Sequence, residues 1–368
     1  MARCASASAG ASASASASAS AMREIDASSL DPIVLGANYP AHAYPGQGMS
    51  ARLRGVSPGP APEPEDWVAS VTTRWQEASS GLSRLPDGRL LRDAIAADPE
   101  AYLGPEHVAA YGSDPGLLVK LLDSAERLIV HCHPNREFAR AHLGCAHGKT
   151  EAWLVVEAEP RAQVYLGFQR PVGLEELGTW VAEQRLEQML AALHVLPVQT
   201  GSVVLVPAGV PHAIGPGILV VELQEPTDFT IALERRGSGP GDLGLGPDLA
   251  LSCVDRESWS VDRVERLRGR PLGAAGSLLP PGAGPFFRAE RVRARSGGEI
   301  SEGYAVLVVV SGSGHLEGRF PARRVAVGRG STLLMPYAAG PARASGDLEI
   351  VVCRPPSPGE PRLSRPVV

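Results

Sequence analysis

RLIVHCHPNREFARAHLGCAHGKTE, residues 127–151, joins an apolar run to a cluster of metal-ligand residue types. Leu128-Ile129-Val130 leads straight into His131-Cys132-His133 and stops at Pro134. Successive side chains of a strand alternate faces, so His131 and His133 point the same way. Their imidazoles then stand about 7 Å apart along the strand and can close on one ion. Imidazole suits Zn, Fe, Ni and Cu. A carboxylate, Glu151, opens the next apolar run, Ala152-Trp153-Leu154-Val155-Val156. Glu137 competes with it, because a strand HxH followed by Glu after three residues is also a metal spacing in small β-barrels.

Outward from this stretch the chain reads as short strands and turns. Leu117 to Leu122 (LLVKLL) is a buried strand with Lys120 inside it. A lysine there either snorkels at an edge or points into a polar cavity. Leu90 to Asp98 has helical spacing, stopped by Pro99. Thr150–Glu159 and Gln163–Phe168 are strands, and residues 174–193 carry apolar positions at helical spacing. In Gly201-Ser-Val-Val-Leu-Val-Pro207-Ala-Gly209-Val-Pro-His212 a buried strand ends in a turn. His212 then opens the return strand. Gly, five residues, Pro-x-Gly, two residues and His resembles the second motif of the cupin barrel, which implies a metal-ligand role for His212. Ile218 to Gln224 (ILVVELQ) puts Glu222 and Gln224 on one face, with Asp228 just beyond. Trp67 and Trp153 read as core.

Residues 237–250 form a Gly/Pro linker. A second β pattern runs from Phe286 to Arg354, with a Gly328-to-Pro336 echo of the Gly201 motif. No histidine follows Pro336, and His315 is the only one in this half. The expected organisation is a low-complexity disordered tail (1–28), a metal-binding half (29–236), the linker, and a metal-free half (251–368). The Ala-Ser tract of the tail lacks a leucine-rich segment and makes a poor signal peptide; a transit peptide is the alternative.

The 368 residues leave room for about two domains and a tail. A net charge of −5, mixed along the chain, implies neither a nucleic-acid nor an anionic-membrane partner. Five irregularly spaced cysteines argue for a reducing, cytoplasmic setting. No apolar run approaches the roughly 18 residues of a membrane span.

LLVKLLDSAERLIVHCHPN, AHGKTEAWLVVEAEP and GSVVLVPAGVPHAIG resemble, in this order, the motifs of the type I mannose-6-phosphate isomerases. The resemblance runs from about Glu65 to about Asp228. These are zinc enzymes built on cupin barrels, which implies a mainly β fold of two jelly-roll-like barrels with a helical segment near 174–193. Matched position by position, His131, His133, Glu151 and His212 fall on the ligands of one divalent ion, and this favours Glu151 over Glu137. The resemblance puts Lys149 beside the phosphosugar and Glu222 and Asp228 on acidic positions of the active site, as catalytic residues. Lys149, Lys120 and Gln224 are the candidate substrate contacts. The implied reaction interconverts mannose 6-phosphate and fructose 6-phosphate. There are two departures. His131 stands where the family has glutamine, which leaves Fe, Mn and Ni open beside Zn²⁺. Ala232 stands where the family has arginine, which leaves room for another sugar or a non-catalytic sugar-binding role. The sequence leaves the oligomeric state open.

Overall fold

The computed structural model describes residues 30–42, 44–236, 241–272, 276–318, 324–361, 363, 364 and 366. The expected tail and part of the linker lie outside them. Among the described residues most ordered segments are strands, paired antiparallel into four sheets. The first runs Glu65–Val68, Leu118–Ser124, Ile218–Gln224, Glu151–Ala158, Val203–Val206 in spatial order. The second runs Ile231–Ala232, His131–Cys132, His212–Ile214, Gln163–Phe168, Leu193–Pro197. The later half of the chain builds a six-stranded and a four-stranded sheet. The short strand Ile33–Leu35 crosses over to the edge of the six-stranded one, against Thr332–Met335.

Alternation explains why ILVVELQ and AVLVVVS carry so little polarity. Every residue of Ile218–Gln224 is buried, because both faces of its sheet are covered. Val306 and Val308 face a core shared with the first sheet, whereas Ala305, Leu307 and Val309 face the inner core of the later half. Each such valine or leucine contributes about 1.5–3 kcal/mol by leaving water, so a continuous apolar run is the stable choice for a strand covered on both sides.

The helices lie outside the sheets. Residues 174–193 resolve into two, Leu174–Glu183 and Leu186–Ala192, broken where Gln184 takes a left-handed conformation with φ 51°. Leu177, Trp180 and Met189 pack with Phe168, Cys132 and Leu193 of the second sheet. The linker is not featureless: Pro247–Ser252 is a helix. The strand expected from Leu128 is shorter than its apolar run, since only His131–Cys132 pairs as a strand. Val130 instead offers its carbonyl to two amides, Leu233 N and Glu234 N (both 2.9 Å). Among the described residues no helix is long and apolar enough to cross a membrane.

Candidate active site

The first two sheets bring the ligand-type side chains together from opposite sides. His131 lies directly across from His212 in the second sheet, and Glu151 opens its strand in the first. The ring centroids of His131 and His212 are 4.2 Å apart, and each is 4.8 Å from that of His133. One nitrogen from each ring falls within 4.8 Å of the others. Glu151 reaches the same point, with Oε2 3.2 Å from His133 Nε2 and Oε1 3.2 Å from His212 Nε2. Glu137 is exposed on the helix Arg136–His142.

The tautomers follow from the backbone. His131 Nδ1 lies 2.7 Å from Ile129 O, His133 Nδ1 2.7 Å from Phe229 O, and His212 Nδ1 2.8 Å from Val210 O. A carbonyl oxygen only accepts, so each Nδ1 carries the proton and each Nε2 keeps its lone pair, the arrangement found around metal-ligating histidines. Burial, then His212 and His133, push His131 well below its ordinary pKa. Burial, then Lys149, bring His133 down to about 3. Burial alone would raise Glu151, but His133 and Lys149 beside it hold it well below the carboxylate range. Since His133 is neutral near pH 7, the Lys149 ammonium exerts that pull there. His212 Nε2 and Glu151 Oε2 are buried without a hydrogen-bond partner. Imidazoles that turn Nε2 toward one point, a carboxylate, and buried acceptors without a hydrogen bond suit a divalent cation, so the residues fit one.

The first sheet extends the site sideways. Trp67, Lys120, Glu222 and Trp153 form one cross-strand row, and Glu151 faces Gln224 in the next. Lys120 points inward: its Nζ is 3.1 Å from Glu65 and 3.5 Å from Glu222, and it lies over the Trp67 ring. Glu65 also takes hydrogen bonds from Trp67 Nε1 (2.7 Å) and the Tyr44 hydroxyl. Burial, and then Glu151, raise Glu222 to about 7. The Trp153 indole N–H lies between Glu222 Oε1 (3.2 Å) and Glu151 Oε1 (3.1 Å), so it ties the two carboxylates together. Lys149 Nζ stands 3.3 Å from His133 Nε2 and 3.5 Å from Glu151 Oε2. Gln224 spends its amide N–H groups on Glu225 O and Thr227 O.

Removing Lys120 leaves the buried Glu65 carboxylate without the ammonium that stands 3.1 Å from it. With the Lys120 and Glu222 side chains both 3% exposed, Lys120→Met is expected to destabilise the protein by about 3–5 kcal/mol in urea unfolding. A loss under about 1 kcal/mol would mean that water reaches Glu65 and Glu222.

Asp228 accepts from Trp75 N (3.0 Å) and lies 3.8 Å from Arg74 Nε. Ala232 pairs with ligand-type His131 and sits under Gly241, where an added Cβ would come within 2.6 Å of the Ala232 methyl. Arg235 and Arg236 turn away, to Val181 O and Ala182 O and to Glu126 and Glu234. No spacing in the sequence points to Tyr44, Glu65, Arg74 or His42, whose Nε2 lies 3.3 Å from Glu65 Oε2. A buried lysine inside LLVKLL was the one signal that an acid had to lie opposite.

Mannose-6-phosphate isomerase ManA of Bacillus subtilis is 37% identical over 117 residues, 32% of this chain and 36% of that protein. The match thus spans about a third of that relative's length. The mannose-6-phosphate isomerase of Streptococcus mutans is 26% identical over 266 residues, 67% of this chain and 77% of that one. The chain is a relative of the mannose-6-phosphate isomerases. In fold this isomerase relative follows the mannose 6-phosphate isomerase structure from Bacillus subtilis, at TM-score 0.68, 20% identity, and coverage of 88% of this chain and 100% of that one. A mutant phosphomannose isomerase from Salmonella typhimurium gives TM-score 0.69 at 16% identity, over 89% and 100%. No protein-family model matches the chain.

Proposed function

We propose that this protein is a metal-dependent aldose–ketose isomerase that interconverts mannose 6-phosphate and fructose 6-phosphate. The observation that carries the reading is the convergence of three Nδ1-protonated histidines and Glu151 beside a raised carboxyl, Glu222. The relatives' names support the substrate. His131, His133, Glu151 and His212 would hold one divalent ion, zinc first among the candidates, with iron, manganese and nickel also suited to three imidazoles and a carboxylate. When bound, the ion supplies Lewis acidity toward the sugar's carbonyl and hydroxyl oxygens.

The remaining chemistry belongs to side chains. Isomerisation moves a proton between C1 and C2 through an enediol. Glu222 takes that proton from one carbon and returns it to the other: burial raises its carboxyl above the ordinary carboxylate range, which brings proton exchange closer to neutrality. Its Oε2 accepts no hydrogen bond, while Trp153 and Lys120 fix the carboxyl's orientation. Lys120 stays protonated because Glu65 and Glu222 outweigh its burial. Lys149 supplies positive charge toward substrate oxygens, and Asp228 orients the loop at the site's edge. Each pair of sheets is read as a cupin-type barrel, the first (29–236) bearing the site and the second (251–368) metal-free. The buried cysteines Cys132, Cys145, Cys253 and Cys353 support a reducing compartment such as the cytoplasm.

One observation favours a second reading. No guanidinium occupies position 232, and Gly241 covers the methyl that does. An enzyme acting on another sugar, or a sugar-binding protein without turnover, would fit that change. A coupled assay separates them. The metal-loaded protein is expected to convert mannose 6-phosphate to fructose 6-phosphate, chelation to abolish turnover, and added metal to restore it. Stoichiometric metal with no turnover on hexose phosphates would overturn the isomerase reading.

A further inference from the structure

The loop that carries Lys149 is gripped from both sides, and part of the grip comes from the far end of the chain. Gly148 packs against the Pro134–Arg136 backbone so closely that an added Cβ would meet Pro134 O at 2.6 Å and Arg136 N at 2.7 Å. Lys149 N donates to Pro134 O (2.9 Å), and the Thr227 hydroxyl donates to Gly148 O (2.7 Å). On the other side stands Glu225, a fully buried carboxylate. It accepts from Gly148 N (3.3 Å) and Thr150 N (2.9 Å), the amides that flank Lys149.

A buried carboxylate accepts strongly only if its charge is matched. Arg136 does this, with Nε 2.5 Å from Glu225 Oε1. His147, the other basic side chain nearby, stands off at 3.9 Å and is engaged by Asp114 at 2.6 Å. The rest of the Arg136 guanidinium is held from beyond residue 280. Nη1 donates to Leu363 O (3.1 Å), Nη2 donates to Pro285 O (3.2 Å), and the group lies 4.5 Å over the Phe286 ring. Ser364 Oγ accepts from the neighbouring Glu137 N (3.1 Å).

We propose that Arg136 and Glu225 are positioning residues that couple the second half of the chain and its C-terminal segment to Lys149. The second half then has a task at a site to which its described residues contribute no ligand-type side chain: it holds the guanidinium that fixes the Gly148–Thr150 backbone. Arginine is required because one planar group must meet a carboxylate, two carbonyls and a ring face at once. The turnover arm of the test rests on the isomerase reading; the exchange arm does not.

Amide hydrogen exchange and kinetics on the full-length, metal-loaded protein test this with Arg136→Ala, Arg136→Lys and a chain ending at Pro361. Exchange across residues 146–151 is expected to quicken about tenfold in Arg136→Ala and in the shortened chain, while the Ile218–Gln224 strand keeps its protection. Arg136→Lys is expected to restore only part of it. Metal content should stay at wild-type level while kcat/KM for mannose 6-phosphate falls about tenfold. In a Lys149→Met background Arg136→Ala should add less than about twofold, because its effect passes through Lys149. Unchanged exchange in Arg136→Ala or in the shortened chain overturns the proposal. So does exchange that quickens equally in Ile218–Gln224, or a full further loss in the Lys149→Met background. A wild-type protein without turnover sinks the isomerase reading and leaves the exchange result to decide this one.

Discussion

His212→Ala protein is expected to purify without its metal. Its imidazole is one of three whose Nδ1 atoms are tied to backbone carbonyls, so the Nε2 lone pair is aimed before any ion arrives. That pre-aiming is what the substitution removes. The remaining donors, His131, His133 and Glu151, keep their positions, because their own supports, Ile129 O, Phe229 O and the sheet, are untouched. Loss of a group that merely supports a ligand costs about 10–100-fold in affinity, so loss of a ligand itself should exceed about 100-fold. Metal analysis after dialysis should give one ion per wild-type chain and almost none per His212→Ala chain. His194→Ala is the matched control, since His194 bonds Trp259 O at 2.6 Å and stands outside the cluster. Wild-type stoichiometry and affinity in His212→Ala would move the metal away from these histidines.

Much of this centre was legible because its chemistry is local. His131 and His133 share a face by the two-residue period, and this survives although the strand is only His131–Cys132. Lys149 reaches Glu151 Oε2 at 3.5 Å from the loop before the strand, a placement that the family resemblance implies and the spacing alone does not. His212 was found through a turn motif that fixes its position relative to a buried strand. The rest depends on register between strands far apart in sequence. Lys120 meets Glu222 because Leu118–Ser124 pairs with Ile218–Gln224, a juxtaposition that no spacing within either strand contains. Glu65 and Tyr44 join from still earlier segments, and Arg74 reaches Asp228 from a loop. The apolar run before His131 misled in the opposite direction. Leu128 and Val130 are buried, but against Ile231, Leu233 and Ile214 in irregular backbone, so hydrophobicity there reports burial and not a strand.

Glu222→Gln is expected to remove most of the turnover while keeping the metal and the fold. Glutamine has the same shape, and its carbonyl can still accept from the Trp153 indole, which holds Oε1 at 3.2 Å. Lys120 keeps Glu65 at 3.1 Å as its counter-ion, so no ammonium is stranded. What disappears is the ability to carry a proton. General acid–base transfer contributes about 10²–10⁴-fold, and kcat should fall by that factor with KM nearly unchanged. The pH profile gives an independent reading. Protonated Glu222 cannot accept the substrate's proton, so wild-type kcat should rise with pH through the pKa of this carboxyl. Burial comes first in raising that pKa to about 7, and the Glu151 charge second. A divalent ion on Glu151 cancels the second cause, so the limb in the metal-loaded enzyme should lie below 7. In Glu222→Gln the limb should be absent, because nothing at that position titrates. A Glu222→Gln enzyme with kcat within about twofold of wild type and the same acid limb would assign the proton transfer to another group. Asp228, which takes the Trp75 amide at 3.0 Å beside Arg74, would then be the next carboxylate to substitute.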